Sequence, residues 1–304
     1  MIIQRKDSYM KYRLMLFITA IVWGGGFVAQ RLGAESIGPF TFNAFRFLIG
    51  TCVLLPFILW TNQNKKQIDK LPQKLSLYKA SIILSIILFC GAALQQIGLS
   101  YTSAGKAGFI TSLYIITVPI LGLCVKHPLR ISHLIGCPIA VIGLYLLAFH
   151  GGSSTSINYG DLLQLIGVFF WSIHILLVGY FVRYFSGLHL AIGQFLCCSL
   201  INMVAIWFHG EIITMPTLIA AAPALFYSGV LASGVGFTLQ MLGQKGVSPT
   251  EASLICSLEM IFGAMGGVLY LGEWMSLLEW FGCILMTIGI FSAQIPSRSI
   301  IQWK

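Results

Sequence analysis

The chain has 304 residues, 57% hydrophobic and only 9% charged, with a mean hydropathy of +0.88; a soluble domain carries roughly 25% charged residues, so a soluble enzyme or binding module is excluded. Spans of about 20 apolar residues cross a hydrocarbon core of about 30 Å, so about ten of them use most of this length. The net charge of +9 would suit nucleic acid only if the basic residues formed one patch, and their positions decide otherwise.

Apolar segments predict spans at 12–32, 39–61, 80–100, 104–125, 131–149, 160–182, 188–208, 216–242, 249–271 and 276–295. The basic start MIIQRKDSYMKYR resembles the head of a signal peptide, but no small-residue cleavage site follows and the run ends in Arg31, so it reads as an uncleaved first span. With the N-terminus in the cytoplasm, the inner segments hold Arg5, Lys6, Lys11, Arg13, Lys65, Lys66, Lys70, Lys74, Lys79, Lys126, Arg130, Arg183, Lys245, Arg298 and Lys304. Only Arg31 and Lys106 fall outside, and Arg46 lies within a span. This is the positive-inside asymmetry of a multi-pass membrane protein with both termini cytoplasmic; the partner it implies is the lipid bilayer, not nucleic acid. The eight cysteines lie in apolar segments without a CxxC pair and read as buried hydrophobes, so no metal or other cofactor is expected.

A Gly/Ser-rich stretch, GGSSTSINYG from Gly151 to Gly160, separates the fifth and sixth spans and reads as a linker between halves 1–150 and 151–304. The halves resemble one another. Ala104 to Pro119 aligns without a gap with the first part of the apolar helix Pro249 to Leu271 at a spacing of 145 residues, which places Lys106 on Glu251, Ser112-Leu113 on Ser257-Leu258 and Tyr114 on Glu259. Trp23 and Trp171 are 148 apart, as are Arg46 and Gln194; Gln95 and Gln240 are 145 apart; Gly136 and Gly282, like Gly143 and Gly289, are 146 apart. Five spans per half force the second half to enter the membrane upside down. The expected fold is an all-α polytopic membrane protein, ten transmembrane helices as two inverted five-helix repeats, with its site near the midplane between them.

The segments WGGGFVAQRLGAESIGPFTFNAFRF, ALQQIGLSYTSAGKAGFITSLYIITVPIL and ASLICSLEMIFGAMGGVLYLGEWM resemble the drug/metabolite transporter superfamily, in particular its ten-span EamA-type permeases, over nearly the whole chain. The resemblance implies a permease of the cytoplasmic membrane that moves small metabolites, amino acid-like compounds, organic ions or drugs, often outward. One departure is the family's Gly-Glu element, which occurs as Gly272-Glu273 but is replaced in the first half by Val125-Lys126-His127.

Glu259 lies about ten residues into its span, roughly 15 Å deep at 1.5 Å per residue. An ionisable group there is expensive and points to a cation-binding or proton-exchanging role, protons being the candidate coupling ion. Arg46, roughly 10 Å deep, has the planar fork to hold a carboxylate or phosphate; a tether to Glu259 or to helix-end carbonyls is the structural alternative. Glu251 reads as the acidic end of a capping box, Ser248-Pro249-Thr250-Glu251. Lys106 opposes the dipole of its helix start, which suggests either an anion at the outer mouth or a solvated interfacial lysine. Gln95 and Gln240 suit substrate hydrogen bonding or helix joining. Trp23 and Trp171 are deeper than an interfacial belt and suit a cavity wall or packing. Tyr114 and His174 are weaker candidates. Gly136, Gly143, Gly282 and Gly289 predict a close contact of the fifth and tenth spans.

Gly105-Lys106-Ala107 lacks the GxxxxGK[ST] pattern of a nucleotide loop, leaving a gradient as the energy source. The alternatives are a membrane-embedded enzyme, for which no HExxH or acidic cluster is present, and a passive channel. Monomer and homodimer both fit this reading.

Overall fold

The computed structural model describes residues 2–61, 76–127, 129–149, 158–271, 275–295, 297 and 299–301. Lys65, Lys66, Lys70, Lys74, Arg298, Lys304, linker residues 151–157 and the Gly272-Glu273 pair lie outside the described residues.

The described chain is a bundle of apolar helices. Eight are long and apolar enough to cross a membrane: Tyr9–Ala34, Pro39–Leu59, Leu77–Leu99, Ala104–Cys124, Tyr159–Phe181, Gly187–His209, Met215–Gln244 and Leu277–Gln294. A shorter apolar helix, Ile131–Leu147, takes the fifth place. The ninth is filled by two consecutive helices, Pro249–Cys256 and Glu259–Leu271. Taken in chain order these are spans one to ten. Beside them Leu129–Arg130 pairs antiparallel with Ser299–Ile301.

Several spans are not the continuous α-helices that hydropathy suggests. Span four changes helix at Leu113, where Leu113 N donates to Ile110 O at 3.1 Å and Ile116 N to Leu113 O at 3.0 Å. Span nine does the same one repeat later, with Leu258 N to Ile255 O at 3.2 Å and Met260 N to Ser257 O at 3.3 Å. These tightened i to i+3 bonds turn the chain locally. In span nine the Ser257 hydroxyl donates back to Leu254 O at 2.8 Å, competing with the helix ladder. Span one breaks at Gly25, between Ile2–Gly24 and Gly26–Ala34. Span eight carries a π-helical segment, Tyr227–Phe237, between two α-helical ones.

Small residues set the closest contacts. Spans five and ten press backbone to backbone: a Cβ on Gly143 would lie 2.3 Å from Met286 N, and one on Gly289 2.3 Å from Ala140 N. Gly136 abuts Gly289 O, and Gly282 abuts Gly143 O. A Gly136–Gly289 contact and a Gly282–Gly143 contact are the same contact seen from each half. The pattern recurs at the tryptophans, where Gly236 faces the Trp23 indole and Gly91 faces that of Trp171. Counterparts Phe47 and Phe195 stack on each other with ring centroids 5.7 Å apart. A residue that touches its own counterpart lies near a two-fold axis relating the halves.

The start of span two shows how the ends are seated. Pro39 opens the helix, and the distant Glu211 carboxylate accepts from Phe40 N at 3.0 Å, Thr41 N at 2.7 Å and Thr41 Oγ1 at 2.6 Å. It satisfies the orphan donors of that helix start. Gly38 is small because a Cβ there would meet this carboxylate at 2.3 Å.

Candidate functional site

The breaks in spans four and nine place Tyr114 and Glu259 each at the first residue of a new helical segment. There the two counterparts meet: Tyr114 Oη donates to Glu259 Oε1 at 3.0 Å, and both residues are buried. Positions that the sequence repeat marks as equivalent are thus direct neighbours in the fold.

Beside this pair is a cavity lined by Trp23, Gly26, Phe27, Gln30, Arg46, Gln95, Thr111, Tyr114, Trp171, Ile175, Ala232, Phe237, Gln240 and Glu259. Seven of the eight candidate residues therefore share one wall system. Arg46 is 3% exposed, with its guanidinium carbon 4.6 Å above the Phe47 ring and 5.9 Å from that of Phe42. Its Nε and Nη2 have no hydrogen-bond partner among the described residues. The alternative reading, a tether to Glu259 or to a helix end, finds no support in the described contacts; Arg46 instead lies over the Phe47 ring, an aromatic face that favours a cation. Its counterpart, Gln194, bonds His174 Nε2 at 2.9 Å and so belongs to the helix packing.

The cavity walls are aromatic, and their polar edges are only partly satisfied. Trp23 Nε1 donates to Ala232 O at 3.1 Å, whereas Trp171 Nε1 has no partner among the described residues. The side-chain oxygens of Gln30 and Gln240 are likewise buried without a partner among them. Gln96 and Gln244, the neighbours of Gln95 and beyond Gln240, join helices instead, donating to Gln30 O at 2.9 Å and to Ile175 O at 2.8 Å. Unmet donors and acceptors around a guanidinium and a carboxyl group, enclosed by aromatic faces, suit a small polar molecule with an apolar body.

Two expectations are corrected here. Lys106 is neither solvated nor on the cavity wall: it is buried, and its Nζ lies 2.5 Å from Asp161 Oδ2 at the start of span six. A cation at N3 is unfavourable on its own, but Asp161, in a capping box with Asn158, supplies the opposing charge. Glu251 makes only half of the expected box. Its main-chain N–H donates to Ser248 Oγ at 3.2 Å, while its carboxylate turns away to Arg13 Nε at 2.6 Å and to the Tyr9 hydroxyl.

Gln30, Phe27, Thr111, Ile175, Ala232 and Phe237 were not foreseen as lining residues. Gln30 had only a weak signal, a polar side chain beside Arg31 near the end of span one. The apolar members had none.

Known proteins resemble the chain over most of its length. A family model described as the EamA-like transporter family matches twice, at residues 10–149 and 158–293. A protein named as an uncharacterized transporter from Archaeoglobus fulgidus is 28% identical over 278 residues, covering 91% of this chain and 83% of that one. The uncharacterized inner membrane transporter YedA of Escherichia coli K12 is 25% identical over 306 residues, covering 94% of each. A solved crystal structure superposes with a TM-score of 0.77 at 16% identity, over 93% of this chain and 96% of that one, a likeness of fold alone.

Proposed function

The chain belongs to the EamA-like transporter family, and from that premise we propose that this multi-pass membrane transporter is a secondary active exporter of a small metabolite across the cytoplasmic membrane, working by alternating access. In this reading residues 1–150 and 151–304 are inverted halves, both termini are cytoplasmic, and the halves rock about the shared cavity. The double match of the family model and the paired contacts of counterpart residues support that division.

The observation that carries the mechanism is the presence on one cavity wall of a guanidinium whose Nε and Nη2 lack partners among the described residues and of a buried carboxyl group that accepts from Tyr114. Arg46 would hold an anionic group of the substrate by two-point hydrogen bonding. Glu259 would exchange a proton, or take a cationic group, as access alternates, since a buried charge is tolerated only when paired or neutralised. Trp23 and Trp171 would sandwich the apolar or aromatic body, while Gln95 and Gln240 would bond its polar edge.

The test uses everted membrane vesicles with and without a pH gradient, with uptake followed by a metabolite screen. Glu259→Gln should abolish gradient-driven uptake while leaving membrane insertion intact. Uptake equal to wild type would remove Glu259 from the coupling mechanism.

A further inference from the structure

Two ion pairs outside the cavity occupy equivalent places in the two halves with their charges exchanged. Lys106 of span four meets Asp161 of span six at 2.5 Å, and Glu251 of span nine meets Arg13 of span one at 2.6 Å. Glu251 is the counterpart of Lys106, 145 residues on, and Asp161 is the counterpart of Arg13, 148 residues on. Ser103 and Ser248, also 145 apart, cap the two helices identically, accepting from Lys106 N and from Glu251 N, each at 3.2 Å. Because the halves are inverted, one pair lies at each membrane face. Each joins a span of one half to a span of the other.

We propose that these pairs are fixed pivots of the transport cycle, closed in both the outward-open and the inward-open state, and not gates that part in turn. The inference rests on the alternating-access reading. In an inverted repeat the two end states are related by exchanging the conformations of the halves, so a contact made by only one half moves to the other. A contact made by both halves at once is unchanged by the exchange. Both ion pairs are made together in a structure whose halves otherwise differ, in spans one and six and in spans three and eight, and which is therefore not a symmetric intermediate; exchanging those differences leaves both pairs closed. Their polarity is free to differ between halves because either arrangement closes the same link.

The contacts that must change are those lacking a counterpart. Span eight is π-helical over Tyr227–Phe237, while the equivalent residues 82–92 of span three lie within the continuous α-helix Leu77–Leu99. Span one breaks at Gly25, while span six runs unbroken from Tyr159 to Phe181. Trp23 bonds Ala232 O, while Trp171 Nε1 has no partner among the described residues. The movement is therefore carried by spans one, three, six and eight, turning about links at the ends of spans four and nine.

The experiment places a reporter cysteine at Ala232, on the cavity wall, in a chain whose eight native cysteines are replaced, and adds either K106C/D161C or R13C/E251C. Labelling by a membrane-impermeant methanethiosulfonate is measured in right-side-out and in inverted vesicles, before and after copper-phenanthroline oxidation and again after reduction. A pivot predicts that the reporter stays reactive from both sides, within about twofold, when the pair is cross-linked. A gate predicts that oxidation lowers labelling from one side by about tenfold or more, reversibly, because the link then biases one state by that factor; this result overturns the proposal. One-sided labelling already in the reduced protein refutes alternating access, and the pivots with it. The charge-exchanged variant K106D/D161K, which reproduces the polarity of the Glu251–Arg13 link, should elute as a monodisperse protein and retain two-sided labelling; one-sided labelling in it also counts against a fixed pivot.

Discussion

A double-mutant cycle on Tyr114 and Glu259 tests the centre of the site without knowledge of the substrate. The Tyr114 hydroxyl donates to Glu259 at 3.0 Å, and the two residues are 2% and 3% exposed, so no bulk water stands ready to replace the bond. Tyr114→Phe therefore leaves a buried carboxyl oxygen without its donor, at a cost of about 1–3 kcal/mol. Glu259→Met removes the acceptor at about the same side-chain volume, so the cycle isolates the bond. The coupling energy from the two single variants and the double should be about 1 kcal/mol where the carboxyl is protonated and about 2–3 kcal/mol where it is ionised. In thermal unfolding of the detergent-purified protein, each kcal/mol moves the midpoint by about 2 °C. Measured at acid and at alkaline pH, the change in coupling reports whether Glu259 gives up its proton over that range. Strict additivity, with coupling under about 0.3 kcal/mol at both ends, would show that the two residues do not meet as described.

Three further outcomes are expected. Arg46→Met removes a buried guanidinium whose Nε and Nη2 lack partners among the described residues, so it should raise stability by about 1–4 kcal/mol in thermal unfolding while abolishing export; a loss of stability would make Arg46 a structural residue. Gly143→Ala and Gly289→Ala each put a methyl group 2.3 Å from a main-chain nitrogen of the facing helix. Spans five and ten must then part by about 1 Å, costing about 1–3 kcal/mol apiece, and the double variant should cost less than the sum because one separation serves both. His127, in the turn between spans four and five, has its imidazole held below its usual range by burial and by Arg183. The unfolded chain then takes up the proton first as pH falls, so its stabilising contribution is complete above the ordinary histidine range and declines below it; His127→Asn should flatten that decline in a pH series of melting points.

Much of the architecture was legible because a duplicated sequence carries its own control. The glycine pairs of spans five and ten stood out at one spacing, and the helices close on them as that spacing implied. Glu259 and Arg46 were legible by depth alone, since few side chains in an apolar span carry charge. The helix breaks at Leu113 and at Ser257-Leu258 were not, because neither glycine nor proline marks them and hydropathy is blind to a change from i+4 to i+3 bonding. Lys106 was misplaced for a different reason. Its partner, Asp161, lies across the linker in the other half, and no periodicity within a span connects them. The sign reversal between Lys106 and Glu251, matched by that between Asp161 and Arg13, was present in the repeat but acquires meaning only when all four are read together. The apolar cavity residues Phe237, Ile175 and Ala232 look like any other lipid-phase side chain until the bundle is assembled.

The meeting of Tyr114 with Glu259 bears on stoichiometry. A position on the two-fold axis faces its own copy, so a duplication that kept a glutamate in both halves would set two acids within hydrogen-bond reach of each other in a dry core. Such acids share a proton, and the first and second ionise over widely separated ranges. Tyrosine in one half converts that dibasic centre into a monobasic one that still has a donor to steady it. On the proton-exchange reading, one equivalent is then carried per turnover at this point, and the charge of the cargo alone decides whether a crossing is electrogenic.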